Sequence, residues 1–483
     1  MKTGNETKPI LLLIFTMILE KEVARRERRL HRLKSALAAL CGLLLPGCMT
    51  PPERERLASL PPLPAQWSAE RQRQGAASNH WLETFADPRL TQAVNAALAG
   101  NFDLRAAAAR IEAARAQMRI DGAGRWPQLA FQTGYGRDDP GRGVPETGAF
   151  EAFFDLSWEL DVWGRIRAAQ LASGQEAEAA VSDWQAARLS LAARTAQNFI
   201  ELTEAHAQVR VAEQSMHDRR TLVELLRGRF QRGLTHALDL RLALTDLANA
   251  EAQLAEQRTR VQNLTRALQV LLGRYPDGHF AVGEALPALP KAVPAGMPSA
   301  LVERRPDLNA AFERLCAVDK RLESARKALL PRFALTASGG AGSAALSELI
   351  DPRAAAWHLA LGLVQPIFTG GRLRGEIQLQ QARVEELLNG YRSAALNAFR
   401  EVEQTLAAED RLREQEQALE EAVRQTDASR KLAIYSYQHG LIEILTLLDS
   451  YRSTLNAQSA HLTARRQLLN NRIDLYLALG GGF

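Results

Sequence analysis

Two periodicities alternate along this chain and divide it into elements. From Phe150 to Val162, apolar Phe150, Ala152, Phe154, Leu156, Trp158, Leu160 and Val162 alternate with Glu151, Phe153, Asp155, Ser157, Glu159 and Asp161. A period of two puts the first set on one face of a β-strand and the mostly acidic second set on the other. Shorter stretches repeat the pattern. Leu129, Phe131 and Tyr135 share a face in Gln128 to Tyr135, and Phe333 and Leu335 do so in Arg332 to Ala337. Trp357, Leu359, Leu361 and Leu363 form the last such stretch, closed by Pro366. Glycine-rich stretches from Gly134 to Gly148 and from Gly339 to Gly342 separate the members of each pair, as hairpin loops would. Elsewhere apolar residues recur at helical spacing among Ala, Leu, Gln, Glu and Arg, and no proline interrupts 146–275 or 367–483. Those are good helix formers. The run from Gly164 to Gln231 predicts one helix of about 100 Å at 1.5 Å per residue. Gly233 and Gly440 predict sharp turns into return helices, from about His236 to Gly273 and from about Glu443 to Gly480.

These elements occur twice. Phe230-Gln231-Arg232-Gly233-Leu234 returns as Tyr437-Gln438-His439-Gly440-Leu441, and Leu272-Gly273 as Leu479-Gly480, both at a shift of 207. Gly164-Arg165 returns as Gly371-Arg372 at the same shift, whereas Pro127 pairs with Pro331, and Asp103-Leu104 with Asp307-Leu308, at 204. Three residues were gained or lost between those anchors, where a loop absorbs them. A period this long indicates a duplicated structural unit and not a short solenoid repeat. The expected fold is mostly α with a small β part, built from long helical hairpins. A strand of 9–11 residues, apolar outside and polar inside, is also what crosses an outer membrane. Four strands cannot close a barrel, and open edges are not tolerated in lipid. If these strands span a membrane the chain must oligomerise; a dimer gives eight strands and a trimer twelve.

Charge adds a leader. The formal charge of +5 resides in residues 1–47, which hold nine Lys/Arg and four Asp/Glu; from Cys48 onward the two signs balance. A nucleic-acid surface has no support in that balance. Arg25, Arg26, Arg28, Arg29, Arg32 and Lys34 precede an apolar run from Ala36 to Leu45, the order of a signal peptide. The apolar stretch Pro9 to Leu19 is too short to span a bilayer, and translation is expected to start further downstream. Leu45-Pro46-Gly47-Cys48 resembles the lipobox of bacterial lipoproteins. The resemblance implies that Cys48 carries N-acyl and S-diacylglycerol lipid, and Met49 beside it implies sorting to the outer membrane. Of the three cysteines only Cys316 would then remain, so neither a disulfide framework nor a zinc site is expected. Cys316 reads as a small packed residue. The nine His form no His-Glu-x-x-His array, and Gly-x-Ser-x-Gly and P-loop patterns are absent. An enzyme is not expected, nor a cofactor besides the lipid.

Organised by these features, 1–47 is the leader, 48–80 a lipid-anchored extended tail suited to a flexible tether, and 81–275 the first repeat. A proline-rich connector covers 276–300, and 301–483 is the second repeat.

From Trp81 to Gly482 the chain resembles the outer-membrane factor family of TolC- and OprM-like channels, in its lipidated branch paired with RND efflux pumps. The matching motifs are Phe85-Ala86-Asp87-Pro88-Arg89-Leu90, Asn101-Phe102-Asp103-Leu104 and Trp158-Glu159-Leu160-Asp161-Val162-Trp163-Gly164-Arg165. They continue with Arg304-Arg305-Pro306-Asp307-Leu308, Pro366-Ile367-Phe368 with Gly370-Gly371-Arg372, and Ala478-Leu479-Gly480-Gly481-Gly482. The resemblance implies a homotrimer whose twelve strands form one outer-membrane β-barrel, continued through the periplasm by an α-barrel of twelve helical strands. It implies that Gly233, Leu234, Gly440 and Leu441 lie at the periplasmic tip, where a periplasmic adaptor docks, with an inner-membrane RND transporter beyond it. An acidic entrance gate is implied at Asp449, and Asp239 is a candidate contributor from the other repeat. Where the family carries a second Asp, this chain has Thr446. Two other expectations compete: a channel of the same fold for ABC-linked protein secretion, and a structural periplasmic coiled-coil lipoprotein. The exported substrate is not legible, because selection rests with the pump.

Overall fold

The computed structural model describes residues 54–64, 66–68, 81–138, 147–290 and 297–481. The chain divides into two units after Glu55, and the fold below is that of residues 56–481. Cys48 lies outside the described residues.

The duplication is visible element by element. In the first half, α1 (Pro88–Gly100) and α2 (Phe102–Ala123) lead into β1 (Gln128–Asp138), β2 (Thr147–Leu160), α3 (Arg165–Gln231) and α4 (Ala237–Leu271). In the second, α5 (Pro298–Arg304) and α6 (Pro306–Lys327) lead into β3 (Arg332–Ser343), β4 (Ala355–Val364), α7 (Arg372–Gln438) and α8 (Ile444–Ala478). The long helices α3 and α7 have 67 residues each, and α4 and α8 have 35 each. Each long helix therefore runs about 100 Å, at 1.5 Å per residue.

The strands form one antiparallel sheet in the order β1-β2-β3-β4. Its register locates the three-residue difference between the halves. Gln128 stands opposite Ser157, whereas its counterpart Arg332 stands opposite Val364. β1 and β3 are thus related by 204 and β2 and β4 by 207, so the extra residues lie in the β3–β4 connection. That connection holds two short 3₁₀ turns, Leu346–Glu348 and Pro352–Ala354. Strand β2 ends at Leu160, two residues before the alternating pattern does. The cause is Asp161, whose carboxylate accepts from the backbone N–H groups of Ile166 and Arg167 at 3.0 and 2.7 Å and so begins α3. Strand β4 stops earlier still, because Pro366 has no N–H to give a ladder.

Alternation sorts the sheet into two faces. Leu129 and Leu156, Phe131 and Phe154, and Tyr135 and Phe150 are opposite pairs, continued by Trp158 with Leu335 and Leu335 with Leu361. The rings of Phe131 and Phe154 lie 4.9 Å apart, and those of Tyr135 and Phe150 4.5 Å. The other face presents Gln128, Gln132, Glu151, Asp155, Ser157, Thr336, Ser338 and His358. Among the described residues, β1 and β4 have no strand on their outer edges.

Next to the sheet, α2, α3, α6 and α7 lie side by side, and further along the bundle α4, α3, α8 and α7 do so. The main core gathers midway along the long helices, where Phe199, Ile200 and Leu202 of α3 meet Leu469 and Ile473 of α8 and Leu308 of α6. Trp81 stacks on Tyr476 at 5.7 Å there. The expected tether is partly bound to this region. Trp67 is buried against Phe399, the backbone N–H of Ser68 donates to Glu403 at 2.7 Å, and Arg56 pairs with Glu313 at 3.1 Å. An indole that reaches a helix groove outweighs the extended bias of the surrounding prolines. Cys316 is half-buried and packs against the same core.

Candidate functional site: the helical tips and the acids beside them

Both long hairpins reverse by the same local chemistry. At the first, the N–H of Gly233 donates to Phe230 O at 2.9 Å and that of Leu234 to Arg229 O at 2.9 Å. At the second, Gly440 donates to Tyr437 O at 3.1 Å and Leu441 to Ser436 O at 2.8 Å. This paired closure needs a left-handed residue, and the two glycines have φ of 72° and 73°. Leu234 and Leu441 project into solvent at the turns, with Phe230 and Tyr435 exposed nearby. Directly behind the turns lies a second core of Leu222, Val223, Leu226, Ala243, Tyr437, Ile444, Leu447, Leu448 and Tyr451. It holds the two hairpins together at their ends.

The candidate acids sit on the return helices. Asp449 is exposed, between buried Leu448 and Tyr451, and among the described residues makes no hydrogen bond or ion pair. The i,i+4 surface pair that competes with a functional role for such a residue is therefore missing. Asp239 lies in the first turn of α4, where a carboxylate meets the positive end of the helix dipole. Thr235 carries a hydroxyl suited to capping, but the cap position falls on His236, with no side-chain capping bond. The Thr235 hydroxyl donates instead to Asp239 Oδ2 at 2.7 Å. Burial pushes the Tyr437 phenol above its ordinary range; Arg229, whose guanidinium lies 5.7 Å from the ring, opposes that and Asp239 adds to it. No contact joins Asp239 to Asp449 among the described residues. The duplication aligns Asp239 with Thr446 and Asp449 with Leu242, so the two acids occupy different rungs of the repeat.

Sequence reasoning missed the ionic framework beneath these acids. Arg219 and Asp246 form a buried pair at 2.6 Å, and Arg452 reaches the same carboxylate at 3.0 Å. Asp246 therefore ties α3, α4 and α8 together, through an Arg452 that lies one turn along α8 from Asp449. Arg430 of α7 bridges to Asp218 of α3 at 2.7 Å and to Asp427 at 3.0 Å. Apart from Asp427, three residues before Arg430 on α7, these partners lie on different helices, and no local spacing signals them.

At the opposite end of the helices, a concavity of about 770 Å³ is lined from all four neighbours by Gln117, Asp121, Glu176, Arg321, Glu376 and Gln380. Ala114, Ala169, Ala325 and Ala328 also line it, so small apolar and charged or amide side chains alternate there. No helix among the described residues is long and apolar enough to cross a membrane.

Comparison with known proteins agrees with this geometry. The model of the family described as outer membrane efflux protein matches residues 93–274 and 297–481, one segment per repeat. Outer membrane protein OprJ of Pseudomonas aeruginosa is 34% identical over 459 residues, 92% of this chain and 95% of that protein. The cation efflux system protein CusC of Escherichia coli K12 is 28% identical over 449 residues, 91% of this chain and 97% of that protein. Among solved structures, the outer membrane channel CmeC of Campylobacter jejuni superposes with a TM-score of 0.83 at 25% identity, covering 87% of this chain and 91% of that one. With long hairpins, a one-sided apolar sheet and both repeats matched, this chain belongs to the outer membrane efflux protein family and is a non-enzymatic channel of the outer membrane.

Proposed function

We propose that this chain is the passive exit duct of a tripartite efflux pump, formed by three copies that close twelve strands into one barrel. The observation that carries the reading is the sheet. Its continuous apolar face suits lipid, its polar face suits a water-filled lumen, and its two unpaired edges demand neighbours. The long hairpins then continue the lumen across the periplasm, with Gly233, Leu234, Gly440 and Leu441 at the end facing the inner membrane. A periplasmic adaptor docks there and passes cargo from an inner-membrane RND transporter, which supplies the energy. Acylation of Cys48 anchors the chain to outer-membrane lipid.

Asp449, and with it Asp239, lines the entrance. An exposed ring of carboxylates at a narrow opening concentrates negative potential and favours cations. The cargo class is small molecules, drugs or toxic compounds, and metal ions, the last in keeping with the cation efflux system of CusC. The test is accumulation of a panel of fluorescent dyes and metal ions in cells with the gene deleted. Raised retention of one or more, reversed by the wild-type chain, supports the reading. Unchanged retention across the panel, together with loss of an exported protein, would transfer the channel to protein secretion.

A further inference from the structure

We propose that the concavity at the sheet end of the helices is a cargo subsite for elongated diammonium cations. The proposal rests on the duct reading above and names a cargo class which that reading leaves open. The concavity adjoins a second one, of about 540 Å³, through Asp121, Arg165 and Ala169. Gln128, Ser157 and Thr336 line that second space, and all three stand on the polar face of the sheet. Both spaces are therefore continuous with the face given to the lumen, and solute in the lumen passes them.

Charge divides the wall into a neutral middle and two negative ends. On the inner helices α3 and α6, Glu176 pairs with Arg321 at 3.0 Å, and Glu159 holds Arg165 at 2.8 Å. Both guanidinium groups of the wall are thus answered, and Ala169, Ala325 and Ala328 share that middle. The acids of the outer helices are not answered. Asp121 of α2 accepts from Gln117 at 2.9 Å and from Ser173, and Glu376 of α7 accepts from Gln380 Nε2 at 2.7 Å. Neither has a cationic partner among the described residues.

Gln380 points independently to a missing donor. It lines the concavity but is only 5% exposed, and its Oε1 has no partner among the described residues. A turned amide is no remedy, since it would set Oε1 against the Glu376 carboxylate. An acceptor left unmade in a buried place costs free energy, which an N–H brought by a ligand recovers. Glu376 and Gln380 lie one turn apart on α7, and an ammonium has three donors to share between them. A single metal ion does not meet the acids of both outer helices, because neighbouring helix axes stand about 8–10 Å apart and α3 and α6 intervene. The complementary ligand carries an ammonium at each end and methylenes against the alanines between. Glu376 is exposed and Asp121 half-buried, so the hold is loose, as conduction requires.

Titration calorimetry of the full-length protein in detergent, with detergent alone as blank, tests the subsite. The probes are the terminal diamines diaminobutane, diaminohexane, diaminooctane and diaminodecane. All carry two charges, so a diffuse negative field treats them alike, whereas the subsite is expected to favour one length. Asp121→Asn and Glu376→Gln, which keep the side-chain shapes, should each remove that preference and weaken the favoured diamine about tenfold or more, the loss of one charge-assisted hydrogen bond. Gln380→Leu should weaken it too, and Gln380→Glu should restore it. Equal affinity at every length would overturn the proposal. So would binding that survives Asp121→Asn and Glu376→Gln but is lost in Asp449→Asn, which puts the cations at the entrance. Absence of binding by the wild-type chain overturns the subsite and leaves the duct standing. Unchanged retention of dyes and metal ions in deleted cells overturns the duct reading, and the cargo role of the subsite with it.

Discussion

Helices α3 and α7 have the same length and begin and end at matching residues of the duplication, but they live in different surroundings. Twenty-five residues of α3 are buried, and nine of α7. α3 is flanked on both sides along its whole length, by α2 and α6 near the sheet and by α4 and α8 toward the tips. α7 has helices on one side only, α6 and then α8, with the segment around Ser59 and Trp67 lying against its Arg392, Phe399 and Glu403. The difference is one of position within the layer, since the two sequences are equally suited to helix. A duplicated unit covers its first copy with its second, and the second remains open at its far side. The open side of α7 and the outer edges of β1 and β4 are the surfaces that the proposed association of copies would cover.

The largest effect is expected where the open helix is fastened to its own hairpin. Arg472 and Glu409 are each 1% exposed and bonded across α8 and α7. Arg472→Met takes from that buried carboxylate its buried cationic partner, with the partly exposed Arg413 still beside it, a loss of about 3–5 kcal/mol by the usual cost of breaking a buried pair. Denaturant unfolding measures it; a loss under about 1 kcal/mol would mean that the partners left to Glu409 suffice. Next comes the sheet. Leu361→Arg places a cation on the apolar face, at about 2–4 kcal/mol per copy at mid-membrane, whereas Ser338→Arg on the polar face should insert normally. Equal insertion of both would contradict the assignment of the faces.

A sharper test of the comparison substitutes matched positions. Leu189→Ser removes a buried side chain and should destabilise the chain itself by about 1.5–3 kcal/mol. Leu396→Ser should leave the unfolding of a single chain unchanged and lower the heat resistance of the oligomer. Loss of single-chain stability in both would show that α7 is covered from within. The smallest effect concerns Asp474 on α8. Burial raises its pKa, the hydrogen bond from Gln197 at 2.7 Å opposes the rise, and the charge of Glu401 adds to it. A carboxyl raised in the folded state binds its proton more tightly there than in the unfolded chain. Stability is therefore lost as pH rises from the ordinary carboxylate value of about 3.9 through the folded-state value. Asp474→Asn should raise the melting temperature slightly at neutral pH and leave it unchanged below that ordinary value.

Periodicity made most of the architecture legible. Period two identified all four strands but cut β1 and β3 short: Gly134 and Gly136 lie inside β1, and Gly339–Gly342, read as a hairpin loop, lie wholly inside β3, because a glycine without a side chain breaks the alternation without breaking the ladder. The proline-free runs identified both 67-residue helices with their glycine turns. What escaped depended on contacts between distant segments. The sequence bounded the three-residue difference without placing it; only the pairing of Arg332 with Val364 puts it between β3 and β4. Asp161 continues an alternating pattern and gave no sign that it would leave the strand to start a helix. Trp67 lies among prolines that read as tether, and its pocket on α7 is more than 300 residues away in the chain. At the tips, Asp449 and Asp239 were visible as acids beside turns, but the buried Asp246 that braces three helices there is an ordinary residue in an ordinary helix until Arg219 and Arg452 are placed around it.

The central claim is that the tips of this channel meet an adaptor. The most direct measurement is photocrosslinking in intact cells from a benzophenone amino acid at Leu234 and, separately, at Leu441. Capture of one periplasmic adaptor from both sites, itself bound to an RND transporter, is the predicted result. Capture of an adaptor of an ABC-type translocator, or of no protein while the channel stands assembled in the outer membrane, would contradict it.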